Sequence, residues 1–385
     1  MDVYTRKREK IIVAEDPFSS GGEGEVRMIV SAPSAYMGRC VKLYYQTKRS
    51  KQQEAKIVFM ADNPPASIAG NGFMIGWPQE PLYDASWKFL GFVMPFAPAD
   101  SVQLVNLTTP KVNSKLQQEW HQKYSRTNGK YALLSRLKLL HNIAVPMYLL
   151  QSTGKYVLKD FKPQNVLVTH EGHVAIVDMD SIQICDKGKV LFHGRVATPG
   201  YIPTEFYTEG VGKNEDIPLD KSWDNFALGV VFYQILFGLH PYVVTPKSIG
   251  ENETNDISQN ISKDLFPFGA NNQEISSYPL LHDKFKVLPS AIQQLFLRCF
   301  AADYNGRPSP EEWGKEIHKL IVAAGDVPKP EPEPNPVPPF PQREPSEKPR
   351  QAPEDFLSSR GGCLMALVLI FMAVCGGMML FRYIL

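Results

Sequence analysis

Two lysines, two aspartates and an asparagine form the pattern in this chain best suited to chemistry. They stand as Lys42, Asp160-Phe-Lys162-Pro-Gln-Asn165 and Asp178. Asp160 can accept or orient a hydroxyl proton, and Lys162, two residues on, supplies a cation. Asn165 and Asp178 offer hard oxygen donors of the kind that hold Mg²⁺. Lys42 lies in the apolar run Arg39-Cys40-Val41-Lys42-Leu43-Tyr44, where a bare ammonium is expensive unless paired. Glu54, twelve residues later on an expected helix, is the candidate partner. Ser19-Ser20-Gly21-Gly22-Glu23-Gly24-Glu25-Val26 adds a glycine-rich loop. It falls between two expected strands rather than between a strand and a helix, which disfavours a Rossmann-type phosphate loop. A hairpin of Gly21, Gly22 and Gly24 can lie close over a nucleotide because no side chains hold the phosphates away, with Val26 packed on the base.

These groups need elements to hold them. Ile11–Val13, Glu25–Val30, Gly38–Tyr44 and Trp87–Met94 read as strands, and 51–61 has a helical period. From about Ala132 the chain turns mostly helical, with Leu133, Leu134, Leu137, Leu140 and Ile143 at helical spacing. That helix ends near Ser152-Thr153-Gly154. A loop then carries Asp160, Lys162 and Asn165 into a strand at Val166, and a second strand at Val174 delivers Asp178 beside it.

The 385 residues suit two or three domains. Lys plus Arg total 41 and Asp plus Glu 40, so there is no basic footprint and nucleic-acid binding is disfavoured. Five scattered cysteines without a CxxC pair argue against a zinc site or a disulfide scaffold. The polar start MDVYTRKREK has no apolar stretch of signal-peptide length.

The C-terminal part differs. Between Pro328 and Pro353 lie 11 of the 32 prolines, a composition that favours polyproline II and cannot pack a core. Cys363 to Phe381 then gives 19 residues without a charge, enough for a membrane-spanning helix. Arg343, Lys348, Arg350 and Arg360 precede it and only Arg382 follows, which orients the larger part to the cytoplasm. Ala373 and Gly377 have the small-xxx-small spacing that supports self-association. The expected organisation is a strand-rich lobe at 1–97, a helical lobe at 98–325, a disordered proline-rich linker at 326–360 and a transmembrane tail anchor at 361–385.

In these motifs the sequence resembles the protein kinase family over about residues 10–320. The resemblance implies a two-lobed α+β fold, with a β-rich first lobe and a helical second one. It implies ATP and Mg²⁺ as cofactors and protein hydroxyls as acceptors. Gly21 and Gly24 match two glycines of the nucleotide loop, with Ser19 in place of the first. Lys42 matches the phosphate-binding lysine and Glu54 its helix partner. Met94 falls at the gatekeeper position, followed by a hinge through Ala97. Asp160 matches the catalytic aspartate, Lys162 the phosphoryl-neutralising lysine, and Asn165 and Asp178 the metal ligands. Thr198-Pro-Gly-Tyr-Ile-Pro-Thr-Glu205 resembles the end of an activation segment, Asp224 the buried brace of the catalytic loop, and Arg307 the partner of Glu205. Lys162 favours serine or threonine acceptors by the same resemblance.

The chain departs from the family pattern at several positions. Leu158-Lys159 replaces His-Arg, and Lys159 retains a charge able to meet a phosphorylated loop. Asp178-Met179-Asp180 replaces D-F-G. Ile182–Ala197 holds no Ser, Thr or Tyr, which excludes phosphorylation within that stretch. The D-x-D-S sequence resembles a bacterial kinase subgroup associated with metal-dependent phosphatases and von Willebrand-type domains. This implies the bacterial inner membrane as the location. Residues 243–288, rich in Asn and Ser, read as a solvated loop or a partner-binding insert. Two other functions fit parts of the pattern. A pseudokinase scaffold or nucleotide sensor is motivated by the altered glycine loop and Asp180. A small-molecule phosphotransferase would lack the 198–205 segment and Arg307.

Overall fold

A computed structural model describes residues 1–194, 197–250 and 254–325. The first lobe is built from β1 (Asp2–Tyr4), β2 (Lys10–Val13), β3 (Ser19–Ser20), β4 (Gly24–Ser31), β5 (Arg39–Tyr44), helix α1 (Lys51–Asp62), β6 (Ala69–Gly70), β7 (Phe73–Ile75), β8 (Glu80–Tyr83) and β9 (Phe89–Pro95). Its main sheet runs β2-β1-β8-β9-β5-β4-β3, and β2 also pairs with β4, so six of these strands close into a ring. Closure removes free edges and encloses Val3, Ile11, Val13, Ile29, Val41, Leu43, Leu82, Leu90 and Val93.

Two local expectations change. The polar start contributes β1, because Val3 is fully buried inside the ring. Trp87 is not in a strand. It sits at φ 66° in the turn between β8 and β9 and stacks on Tyr83 at 4.9 Å.

The helical lobe follows with β10 (Val102–Gln103), α2 (Gln118–Tyr124), α3 (Gly129–Gln151), β11 (Tyr156–Val157), β12 (Val166–Val168), β13 (Val174–Ile176), β14 (Gln183–Asp186), β15 (Lys189–Phe192), α4 (Thr204–Thr208), α5 (Ser222–Phe237), β16 (Thr245–Pro246), α6 (Ile257–Ser262), β17 (Ile275–Ser277), α7 (Ser290–Cys299) and α8 (Pro310–Ala324). Helix α5 is apolar on every side and buried throughout except at Gln234, the pattern of a central core helix. Residues 69–75, expected in the first lobe, instead pair with the second. β7 runs parallel to β13 in the sheet β10-β12-β13-β7-β6.

The 243–288 segment is not a solvated loop where it is described. Ile261, Phe266, His282 and Phe285 are buried. Phe285 stacks on Phe268 at 4.3 Å, and β16 pairs with β17. The asparagine-rich composition hid aromatic residues spaced widely enough to join the core. The proline-rich linker and the expected anchor lie outside the described residues. Among the described residues no helix is long and apolar enough to cross a membrane.

Candidate active site

A cleft of about 650 Å³ separates the lobes. Its roof is the β3–β4 hairpin. Ser19 pairs with Val26, and the Gly21 N–H donates to the Gly24 carbonyl at 3.0 Å. A Cβ at Gly21 or Gly22 would meet nothing within 4 Å, so their backbone is open over the cleft. Gly24 has a different reason to be glycine. A Cβ there would lie 2.2 Å from the Leu43 carbonyl oxygen, so only glycine lets β4 approach β5. Gly91 plays the same part on the other side of β5, where a Cβ would stand 1.9 Å from the Lys42 carbonyl oxygen. The strand carrying Lys42 is therefore closely held from both sides. Val26, Met94 and Ala97 line the cleft with the glycines. Phe18 meets Phe96 edge-on at 5.3 Å in the lining of the cleft, a contact that no local motif announces. Pro95 and Pro98 have no N–H, so the amide donors of this wall are those of Phe96 and Ala97.

The floor holds the acid–base groups. Lys162 Nζ donates to Asp160 Oδ2 and to Thr198 Oγ1, both at 2.7 Å. The Thr198 N–H donates to Asp160 Oδ1 at 2.9 Å. Thr198 thus joins Asp160 and Lys162 across 36 residues, a link no local signal announces. Asn165 Nδ2 donates to the Asp160 carbonyl at 3.0 Å, which commits the amide's donor end and leaves its oxygen as the end available to a cation. The loop is braced from below. Asp224 is fully buried and accepts from the N–H groups of Leu158 at 2.8 Å and Lys159 at 3.1 Å. Trp223 Nε1 donates to the Lys159 carbonyl at 3.0 Å. Both peptide groups of residue 159 are thus fixed, which supports its left-handed φ of 64°. Burial pushes the Asp224 carboxyl up to about 7, against the lowering pull of the two backbone donors. Lys159 does not present a free charge to the loop above. Its side chain is 6% exposed and its Nζ lies 3.8 Å from Glu215 Oε1.

Asp178 also adopts a left-handed conformation, φ 63°, ψ 35°, which aspartate tolerates better than most residues. The following Met179 packs into the core, where the family pattern places phenylalanine. Asp178 and Asn165 both border the cleft. Among the described residues no cluster of three or more acidic, His or Cys side chains could hold a metal. A carboxylate and an amide oxygen nevertheless fit Mg²⁺, which takes most of its other ligands from water and phosphate.

The expected Lys42–Glu54 pair does not form. Glu54 acts instead on the Tyr83 hydroxyl: burial first, and then the Glu54 carboxylate, push that phenol up to about 12. Lys42 Nζ donates to Asp178 Oδ1 at 2.8 Å and to both Asp180 oxygens at 2.7 and 2.9 Å. Burial alone would lower the lysine, but the Asp180 and Asp178 charges overcome it and leave Lys42 raised. Asp180 is likewise held below the usual carboxylate range by Lys42 despite complete burial. From α1, the groups directed toward this cluster are Gln53, whose Nε2 donates to the Tyr44 hydroxyl at 2.7 Å, and Lys56. In the helical lobe Arg307 grips Glu205 with two bonds of 2.7 Å, both side chains buried.

This cleft, a metal-suited carboxylate–amide pair and a braced aspartate on its floor sit between the lobes of a two-lobed α+β fold. The chain belongs to the protein kinase family: residues 114–317, more than half its length, match the protein kinase domain. It is 35% identical over 117 residues to G protein-coupled receptor kinase 2 of Caenorhabditis elegans, covering 28% of this chain and 15% of that one. It is 26% identical over 156 residues to the Rho-associated protein kinase let-502 of Caenorhabditis briggsae, covering 40% and 11%. It is 34% identical over 91 residues to the serine/threonine-protein kinase mrck-1 of C. elegans, covering 23% and 5%. The matched stretches thus take up no more than 15% of these relatives' own lengths.

Proposed function

We propose that the protein is a serine/threonine protein kinase that transfers the γ-phosphoryl group of Mg-ATP to protein hydroxyls, with Asp160 orienting the acceptor. The observation that carries this reading is the Asp160–Lys162–Thr198 group beneath the cleft. Asp160 is held by the Lys162 ammonium and the Thr198 amide, 2.7 and 2.9 Å away. Such fixed placement is what phosphoryl transfer requires of a protein, since positioning and charge neutralisation supply most of the rate. Met94, Ala97, Val26 and the three glycines would seat the nucleotide, Lys42 would hold its phosphates, and Asn165 and Asp178 would hold Mg²⁺. Acceptor choice rests on Lys162 and on the serine/threonine relative. Phosphoamino-acid analysis of a labelled basic protein tests it: phosphoserine and phosphothreonine are expected, and phosphotyrosine alone would overturn the assignment. A pseudokinase reading is not favoured, because Lys42, Asn165, Asp178 and Asp160, the residues this chemistry would use, are all present.

The proposal extends to location and partners. The apolar stretch 363–381 would anchor the protein in a cell membrane, the bacterial inner membrane by the subgroup resemblance, with the kinase lobes on the cytoplasmic side. The same resemblance suggests a metal-dependent phosphatase and von Willebrand-type domain proteins as partners, and Ala373 with Gly377 suggests self-association. Fractionation of cells expressing the full chain and a chain ending at 360 tests the anchor. Loss of membrane association in the shorter chain alone is the expected result, and equal partitioning would contradict it.

A further inference from the structure

We propose that Asp180 is the positioning residue that aligns the nucleotide lysine. Lys42 would then be set by the segment carrying Asp178 rather than by helix α1. This rests on the kinase reading and concerns how its cleft is assembled.

Three observations carry it. First, the Lys42 ammonium has three N–H donors, and all its recorded partners are the carboxylates of Asp178 and Asp180. Asp178 is 37% exposed and borders the cleft, free to turn toward a metal, whereas the Asp180 side chain is 1% exposed and has nowhere else to go. Second, Asp180 is itself anchored. Tyr44, two residues beyond Lys42 on β5, donates its hydroxyl to Asp180 Oδ2 at 2.5 Å, and Gln53 fixes that hydroxyl from α1 at 2.7 Å. The lysine, the carboxylate and the phenol form one closed network spanning β5 and the Asp178–Ser181 turn.

Third, the charge on the helix is reversed. The α1 residue buried beside this network is a lysine, Lys56, whose Nζ donates to the His193 carbonyl at 3.2 Å. Glu54 acts on Tyr83, and no ion pair joins it to Lys42 among the described residues. A carboxylate on the helix is therefore replaced by a carboxylate on the turn. Lys42 and Lys56 together balance Asp178 and Asp180, so the buried cluster carries no net charge. Removing Asp180 alone would leave two cations facing one half-exposed carboxylate, a costly imbalance in a dry site. The helix itself is tied elsewhere, through Arg6, which bonds Asp62 at 2.8 Å and Glu80 at 3.2 Å.

The test uses the full chain in detergent with Mg-ATP and a basic acceptor protein. It measures kcat, KM for ATP, Mg-ATP affinity by calorimetry, and thermal melting for Asp180→Asn, Glu54→Gln and Tyr44→Phe. Asp180→Asn should raise KM for ATP about tenfold or more and lower kcat on the order of 100-fold, because the lysine loses its fixed counter-charge. Glu54→Gln should stay within about twofold on both, and Tyr44→Phe should raise KM roughly threefold. A loss in Glu54→Gln matching that of Asp180→Asn, or an Asp180→Asn enzyme within about twofold of wild type, overturns the proposal. If Asp180→Asn melts below the assay temperature, Tyr44→Phe decides. A raised KM beside an unchanged Glu54→Gln supports the network, and no change in Tyr44→Phe overturns it. Should the wild type transfer no phosphate, the kinase reading fails separately, and the same ordering of Mg-ATP affinities still tests Asp180.

Discussion

Two buried ion pairs divide this protein's labour. In the helical lobe Arg307 meets Glu205 at 2.7 Å, with side chains 1% and 3% exposed. Arg307 also donates to the Cys299 and Ser222 carbonyls, each at 3.2 Å, and lies over the Phe226 ring. Four of its five N–H donors are spent on fixed acceptors in a planar fork, the geometry for which arginine is suited. At the cleft Lys42 meets two carboxylates, of which Asp178 reaches the opening. A point charge on a flexible stem can exchange one acceptor for a phosphate without breaking the other. The first pair is built to stay closed and the second to be shared with a ligand.

Breaking each pair should therefore fail in a different way. The largest effect is expected at the cleft: Asp178→Asn should lower phosphoryl transfer on the order of 1000-fold while shifting the melting midpoint little. Steady-state assay beside calorimetry checks this, and a large loss of stability would blur the distinction. Arg307→Met should act the other way. Glu205 would be left buried and unpaired, at a cost of about 3–5 kcal/mol, read as a lower urea midpoint. Whatever folded protein remains should keep its KM for ATP.

The contrast also marks what could be read before the structure. Glu205 and Arg307 stand 102 positions apart, yet both sit in motifs still recognisable despite Pro203-Thr204 before Glu205, so resemblance paired them correctly. Lys42 stood in an equally clear motif, but its partner was assigned from an expected helical position. Sequence spacing places Glu54 on α1; it does not say which side of the helix meets the cleft. The side that does carries Gln53 and Lys56. Asp180 was visible as a departure from D-F-G, and its charge was legible, but its pairing depends on the turn after Asp178. The closed ring of strands was hidden by the polar start, where only Val3 and Thr5 are fully buried. Phe266 and Phe285 were hidden by the Asn-rich composition around them.

A middle-sized effect should fall between the two pairs, on the brace that joins stability to chemistry. Asp224→Asn keeps the shape but can offer only one acceptor oxygen to the two N–H groups that Asp224 now satisfies. Residue 159 would relax from its left-handed φ, moving Asp160. A fall in kcat of roughly tenfold is expected, with KM for ATP little changed. Comparable changes in both parameters would argue that the brace supports the whole cleft.

The smallest effect concerns pH. His240 Nε2 meets the Gly200 carbonyl at 2.8 Å, and its Nδ1 accepts from the Tyr242 N–H at 3.2 Å. His282 is similarly satisfied by the Val243 carbonyl at 3.1 Å and the Tyr233 hydroxyl at 2.6 Å. Burial lowers both imidazoles from 6.5 to about 4. The unfolded chain thus binds more protons between these values, so their contribution to stability is full above 6.5 and is lost progressively as pH falls toward 4. Thermal midpoints measured from pH 7 to pH 5 should fall, and His240→Gln should flatten that slope. An unchanged slope would assign the acid sensitivity to other groups.

The most direct test of the central claim is Asp160→Asn in the full chain, with transfer from γ-labelled ATP to a basic protein followed beside Mg-ATP affinity. The substitution is nearly isosteric and removes only the carboxylate charge that the Lys162 and Thr198 contacts hold in place. Phosphorylation by the wild type, lost in Asp160→Asn while Mg-ATP still binds with near wild-type affinity, is the expected result. Transfer that persists at the wild-type rate in Asp160→Asn would contradict the assignment of this loop as the catalytic centre.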